Sequence, residues 1–208
     1  MWREKGLSEK TNNIVGHKCH ALINHVSGVP VVFLHGYSYT SDVWQRISVT
    51  GLLKEKHLPF LALDMPYGGK SECQPHSRNV EVNVALIKEA VQTVFGEESP
   101  VMVGASLGAH MALQYATRFP VKGLLLVGAV RVIEDSLVQA YSRFTFPVRL
   151  IIGSEDRIAS HEELRLLADK LPGSKLTVYE GDGHSAYLGS PDRFKRDLLE
   201  LYAQVEQK

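Results

Sequence analysis

The chain has 208 residues, 44% of them hydrophobic, which suits one domain built around one sizeable core. Lys plus Arg number 23, as do Asp plus Glu, so no excess charge recommends nucleic acid or an anionic membrane as partner, and a small neutral or mixed substrate is the simpler expectation. Cys19 and Cys73, the only cysteines, are too few for a disulfide framework and are not spaced as a metal clip.

Residues 1–13 are polar and charged without an apolar export-signal stretch, and no later run approaches the roughly 18 apolar residues of a membrane span. The expectation is therefore a cytoplasmic chain with a polar segment, 1–13, ahead of a single domain, 14–208. Residues 14–26 read as one strand or a hairpin that ends at the turn Ser27-Gly28. They carry His17, His20 and His25, but alternation sends neighbouring side chains to opposite faces and no acid completes a ligand set, so no metal site is expected. Residues 31–34 are the continuous apolar run of a strand buried on both faces, stopping at His35-Gly36-Tyr37. A helix follows over 41–56, with Ser41 or Asp42 as cap and Trp44, Ile47, Leu52 and Leu53 on its apolar side. A second buried strand, 60–63, enters the loop Asp64-Met65-Pro66-Tyr67-Gly68-Gly69-Lys70-Ser71. Val80, Val84, Ile87, Val91 and Val94 then recur at helical spacing until Gly96.

The stretch 100–112 organises the rest. An apolar strand turns abruptly through Gly104-Ala105-Ser106-Leu107-Gly108 into an alanine-rich helix, the pattern of a nucleophile elbow. The flanking glycines stand where a Cβ would collide with strand or helix, the hydroxyl of Ser106 is left exposed, and the Leu107 amide lies in a first helical turn without an intrahelical acceptor. Further strands are expected at 123–127, 148–152 and 176–179, with helices at 161–171 and 192–205. Strands alternating with helices imply an α/β fold with a mostly parallel sheet covered on both faces, and function in the loops at the carboxyl ends of the strands.

Partners for Ser106 belong in those loops. The fifth strand is followed by Glu155-Asp156-Arg157 and the sixth by Asp182-Gly183-His184, giving the chain order serine, acid, histidine. A serine hydroxyl is a weak nucleophile near neutral pH and needs a base, which His184 supplies. An acid beyond the imidazole fixes its tautomer and stabilises its charged form. Asp156 is the preferred acid, with Glu155 and Asp182 as alternatives. A second amide donor for an oxyanion is expected from Tyr37, beside Gly36, paired with that of Leu107. His35 reads as a structural hydrogen-bonding residue, and His110, one turn past Ser106, as a weaker candidate base.

With Phe33-Leu34-His35-Gly36, the loop 64–71, Gly104-Ala105-Ser106-Leu107-Gly108, Gly153-Ser154-Glu155-Asp156 and Gly183-His184 together, the chain resembles the α/β-hydrolase superfamily from about residue 14 to its end. The resemblance implies a hydrolase, most often of carboxylic esters, with no metal or cofactor, and a structural role for Asp64. The serine departs from the haloalkane dehalogenase branch, which has aspartate at this position. Only residues 130–147 lie where many members insert a helical cap, so the chain is similar to small members without one, including those with a tryptophan at the place of Trp44. The expected pocket wall is Tyr37, Tyr39, Tyr67, Val130, Ile133, Tyr141 and Tyr187; Arg131 and Arg157 read as solvated charges, with steering of an acidic substrate as the alternative. The function expected is cleavage of small or medium acyl esters by a monomer or homodimer. Thioesters, lactones, activated amides or a carbon–carbon bond would use the same parts, and a receptor that keeps the fold without the chemistry is the alternative of another class.

Overall fold

The computed structural model describes residues 6–14 and 16–207. Its strands are β1 (Gly6–Ile14), β2 (His17–His25), β3 (Val31–Leu34), β4 (Phe60–Leu63), β5 (Val101–Ala105), β6 (Gly123–Val127), β7 (Val148–Gly153) and β8 (Lys175–Tyr179). The helices are α1 (Val43–Arg46), α2 (Val49–Glu55), α3 (Val80–Phe95), α4 (Leu107–Ala116), α5 (Asp135–Tyr141), α6 (His161–Lys170), α7 (Ala186–Gly189) and α8 (Pro191–Glu206). The strands form one eight-stranded sheet in the order β1-β2-β4-β3-β5-β6-β7-β8. All pairings from β4 through β8 are parallel, and only the β1–β2 hairpin and its contact with β4 run antiparallel. This is the α/β-hydrolase fold.

The side-chain alternation of each strand divides the core in two. Val32 and Leu34 of β3, Leu61 and Leu63 of β4, and Leu124 and Leu126 of β6 point to the face covered by α3, α4, α5 and α6. Val31, Phe33, Phe60, Ala62, Leu125 and Val127 point to the opposite face, covered by α1, α2 and α8. On that second face the Trp44 ring lies 5.0 Å from Phe33, 5.1 Å from Tyr187 and 6.0 Å from Phe194, so one indole locks α1 to the sheet and to α8. Burying such a ring contributes on the order of 3 kcal/mol.

Three expectations change. The helix over 41–56 is two helices: Ser48 takes a left-handed conformation (φ 59°), and its N–H bonds back only three residues to the Gln45 carbonyl, ending the first ladder before the second starts. Asp42 occupies the cap position without a side-chain cap bond. Residues 6–13, expected as a polar segment outside the domain, form most of β1, since an edge strand needs only its backbone and one neighbour; residues 1–5 lie outside the described residues. Cys19 of β2 and Cys73 are joined in a disulfide, tying the hairpin to the loop after β4. Among the described residues no helix is long and apolar enough to cross a membrane, and no group of three or more His, Cys, Asp or Glu side chains is placed to hold a metal.

Candidate active site

Ser106 stands between β5 and α4 with φ 53° and ψ −115°, a conformation that costs a non-glycine residue roughly 1–3 kcal/mol. Its backbone is fixed from both sides. Its N–H donates to the Val127 carbonyl at 2.8 Å, and its carbonyl accepts from Ala109 (3.0 Å) and His110 (3.2 Å). A Cβ on Gly104 would lie 2.6 Å from the Ala109 backbone, and one on Gly108 would run into the Leu34 and His35 carbonyl oxygens, so both glycines are demanded by close approach.

The loops after β7 and β8 bring the expected partners to this serine. His184 Nε2 lies 2.8 Å from Ser106 Oγ, and its Nδ1 lies 2.9 and 3.0 Å from the two carboxylate oxygens of Asp156. The Asp156 side chain is fully buried, and its Oδ1 also accepts the amides of Ile158 (2.8 Å) and Ala159 (3.0 Å). A buried carboxylate so held orients the imidazole with Nδ1 protonated and Nε2 free to accept the serine proton. Glu155 is exposed and Asp182 lies in the turn before His184, where its carbonyl accepts the Glu155 amide at 2.9 Å. Neither makes a hydrogen bond to His184.

His35 settles the loop opposite. Its Nε2 accepts the Met65 amide at 2.9 Å, so the proton sits on Nδ1, which donates to the Gly36 carbonyl at 2.8 Å. Complete burial holds its pKa below the ordinary 6.5, keeping the ring neutral. Asp64 accepts from the amides of Ser41 (2.6 Å) and Glu72 (3.4 Å), and Tyr67 donates its hydroxyl to the His35 carbonyl at 2.6 Å. These buried groups pin the 36–37 peptide beside Ser106: a Cβ on Gly36 would touch Ser106 Cβ at 3.5 Å. Among the described residues neither the Tyr37 nor the Leu107 amide donates to a backbone acceptor.

Ser106 and His184 open into a cavity of about 230 Å³ whose other walls are Gly36 to Tyr39, Ala105, Ile158, Ser185 and Tyr187. The Tyr39 hydroxyl lies 3.2 Å from Ser185 Oγ, and Tyr187 rests on Trp44. Of the tyrosines named from sequence, Tyr37, Tyr39 and Tyr187 line this cavity. Tyr67, Val130, Ile133 and Tyr141 do not line this cavity. Tyr67 is held away from it by its bond to His35, Tyr141 by donation to the Val132 carbonyl, and Val130 and Ile133 are partly buried against the core on the α3–α6 face of the sheet. Arg131 pairs with Glu134 at 2.6 Å, and Arg157 is exposed and not part of the wall. His110 is buried 3.8 Å from Glu134, away from the cavity, with its pKa lowered by burial. Sequence reasoning missed Ile158, 69% exposed, whose signal is a large aliphatic residue two positions past Asp156.

The sequence pattern described as the alpha/beta hydrolase family matches residues 31–150. Human "Protein ABHD14A" is 28% identical over 182 residues, covering 85% of this chain and 65% of its own length, so the chain spans about two thirds of that relative. Rat "Putative protein-lysine deacylase ABHD14B" is 27% identical over 179 residues, covering 84% of this chain and 83% of its own. Among solved structures, a predicted CIB-like hydrolase from Thermoplasma acidophilum superposes with a TM-score of 0.83 at 22% identity (95% and 98% covered). An esterase from Exiguobacterium antarcticum does so with 0.76 at 17% (96% and 100% covered). At these identities the two structures show the shared fold.

Proposed function

Since the chain belongs to the alpha/beta hydrolase family, we propose that it is a serine hydrolase of carboxylic esters with small or medium acyl groups. The observation that carries this reading is the single imidazole of His184, bonded on one side to Ser106 and on the other to Asp156.

In this reading Ser106 Oγ attacks the ester carbonyl while His184 Nε2 takes its proton, and the imidazolium so formed is stabilised by Asp156. The oxyanion is held by the amides of Leu107 and Tyr37, neither of which donates to a backbone acceptor among the described residues. Collapse returns the proton from His184 to the leaving alkoxide, and water, activated by the same imidazole, releases the acid and regenerates Ser106. The cavity is near the small end of ligand pockets and carries aromatic and aliphatic walls, which supports a short uncharged acyl group.

Hydrolysis of p-nitrophenyl esters from acetate to decanoate, run beside Ser106→Ala, tests the reading. Turnover that peaks at short chains and disappears in the variant is expected; turnover that survives in Ser106→Ala refutes it. A second reading, removal of acyl groups from lysine amides, is supported by the name of the rat relative and by the short 130–147 segment, which supplies one helix, α5. Release of acid from an Nε-acetyl-lysine peptide, absent in Ser106→Ala, distinguishes it.

A further inference from the structure

Tyr37 also borders a second cavity of about 230 Å³, lined by neither Ile158 nor His184, that the reaction above does not use. Tyr37, Tyr67, Gly68, Gly69, His76 and Arg78 line it. Tyr37 is common to the walls of both cavities, so the two adjoin at this residue.

Arg78 is held ready there. Its guanidinium lies 5.2 Å over the Tyr37 ring, and one Nη2–H donates to the Tyr37 hydroxyl at 3.1 Å. A guanidinium has five N–H donors, and among the described residues no carboxylate forms an ion pair with this one. The ring beneath orients the planar fork, and the remaining donors have the geometry that suits a carboxylate or phosphate. The surroundings agree: no acidic side chain lines the cavity, and His76 closes one wall with its Nδ1 proton directed to the Pro66 carbonyl at 3.2 Å. Tyr37 is itself fixed, since its carbonyl accepts the Gly69 amide at 2.7 Å and a Cβ on Gly69 would lie 2.9 Å from its ring.

From this we infer that the second cavity is a subsite for an anionic group on the leaving-group side of the substrate, a carboxylate or a phosphate gripped by Arg78. The inference rests on the serine-hydrolase reading for its catalytic meaning, but the binding it asserts is testable without turnover.

The experiment compares three aryl acetates: p-nitrophenyl acetate, 4-carboxyphenyl acetate and an aryl acetate bearing a phosphate, each corrected for its hydroxide-catalysed rate. The readout is the ratio of kcat/KM for each anionic ester to that for the neutral one, which cancels any general effect of a substitution on the fold or on Tyr37. Wild-type protein is expected to favour an anionic ester, and Arg78→Gln to lower that ratio about tenfold, chiefly through KM, with Arg78→Lys intermediate. The ester with the larger ratio identifies carboxylate or phosphate as the group accommodated. An equal ratio in wild type and Arg78→Gln overturns the subsite. Calorimetric titration with 4-hydroxybenzoate and phenyl phosphate separates the two claims: if no acetate is turned over yet these ligands bind wild type and not Arg78→Gln, the hydrolase reading fails and the subsite stands, whereas equal binding to both proteins overturns the subsite alone.

Discussion

Replacing Asp156 by Asn keeps the side chain's shape and reverses part of its hydrogen bonding. Oδ1 still receives the amides of Ile158 and Ala159, which leaves the new NH2 group in the place of Oδ2, 2.9 Å from His184 Nδ1. Two donors cannot share that bond, and Oδ1, 3.0 Å from Nδ1, is already taken by two amides, so the tautomer with the proton on Nε2 is favoured and the imidazole then donates to Ser106 where the proposed reaction needs it to accept. The variant also removes the counter-charge of the imidazolium. At an effective dielectric of about 20, a unit charge pair at this separation interacts by roughly 5–6 kcal/mol, or about four decades in rate. We expect kcat for p-nitrophenyl acetate to fall on the order of 10⁴-fold in Asp156→Asn, with the urea midpoint little changed because both backbone amides keep their acceptor. Steady-state kinetics beside urea unfolding make the measurement. A folded variant within tenfold of wild-type kcat would refute the assignment of Asp156 as the acid behind the base.

Removing His35 by alanine leaves the Met65 amide and the Gly36 carbonyl unpaired in the core, so a loss of about 2–5 kcal/mol in urea unfolding should accompany a roughly hundredfold fall in kcat as the Tyr37 amide loosens; destabilisation with kcat intact would separate Tyr37 from the oxyanion. Burial lowers the pKa of His35 and of His110, the latter despite the opposing pull of Glu134, so the unfolded chain binds more protons below pH 6.5. Stability contributed by these two rings is complete above pH 6.5 and declines as pH falls through their folded values, and urea midpoints that do not drop between pH 8 and 5.5 would contradict this. Ile158→Ala widens the mouth of the acyl cavity, and the ester series should shift its optimum to longer chains, while an unchanged profile would place Ile158 outside the acyl path.

The parts of this site that could be read from sequence are those whose position follows from the end of a strand. Ser106 directly follows the buried strand β5, and Asp156 and His184 lie within a few residues of the ends of β7 and β8, where a strand's end fixes its next few residues in space. The buried strand at Val31 to Leu34 and the helical spacing of Val80 to Val94 were legible for the same local reasons. The pocket wall was not. Whether Tyr67 reaches the cavity at Ser106 depends on the one hydrogen bond its hydroxyl finds, with the His35 carbonyl 32 residues away, and Tyr141 likewise turns on the Val132 carbonyl. Ile158 reads as an ordinary surface residue until the loop that carries it is folded over Ser106. The break at Ser48 and the polar strand β1 leave no periodic signal, because one is a single dihedral angle and the other an edge held by its backbone.

The hydrogen bond that the Ser106 hydroxyl donates to His184 joins residues 78 apart in the chain, and the loop carrying Tyr37 stands a further 69 residues before that serine. Such separations make turnover a clock for refolding. Contacts of this range close late because long loops must be ordered before they are rewarded. In a dilution from urea, helical signal should return first, and any hydrolase activity should return only when β7 and β8 have docked and delivered Asp156 and His184 to a serine already held on its turn.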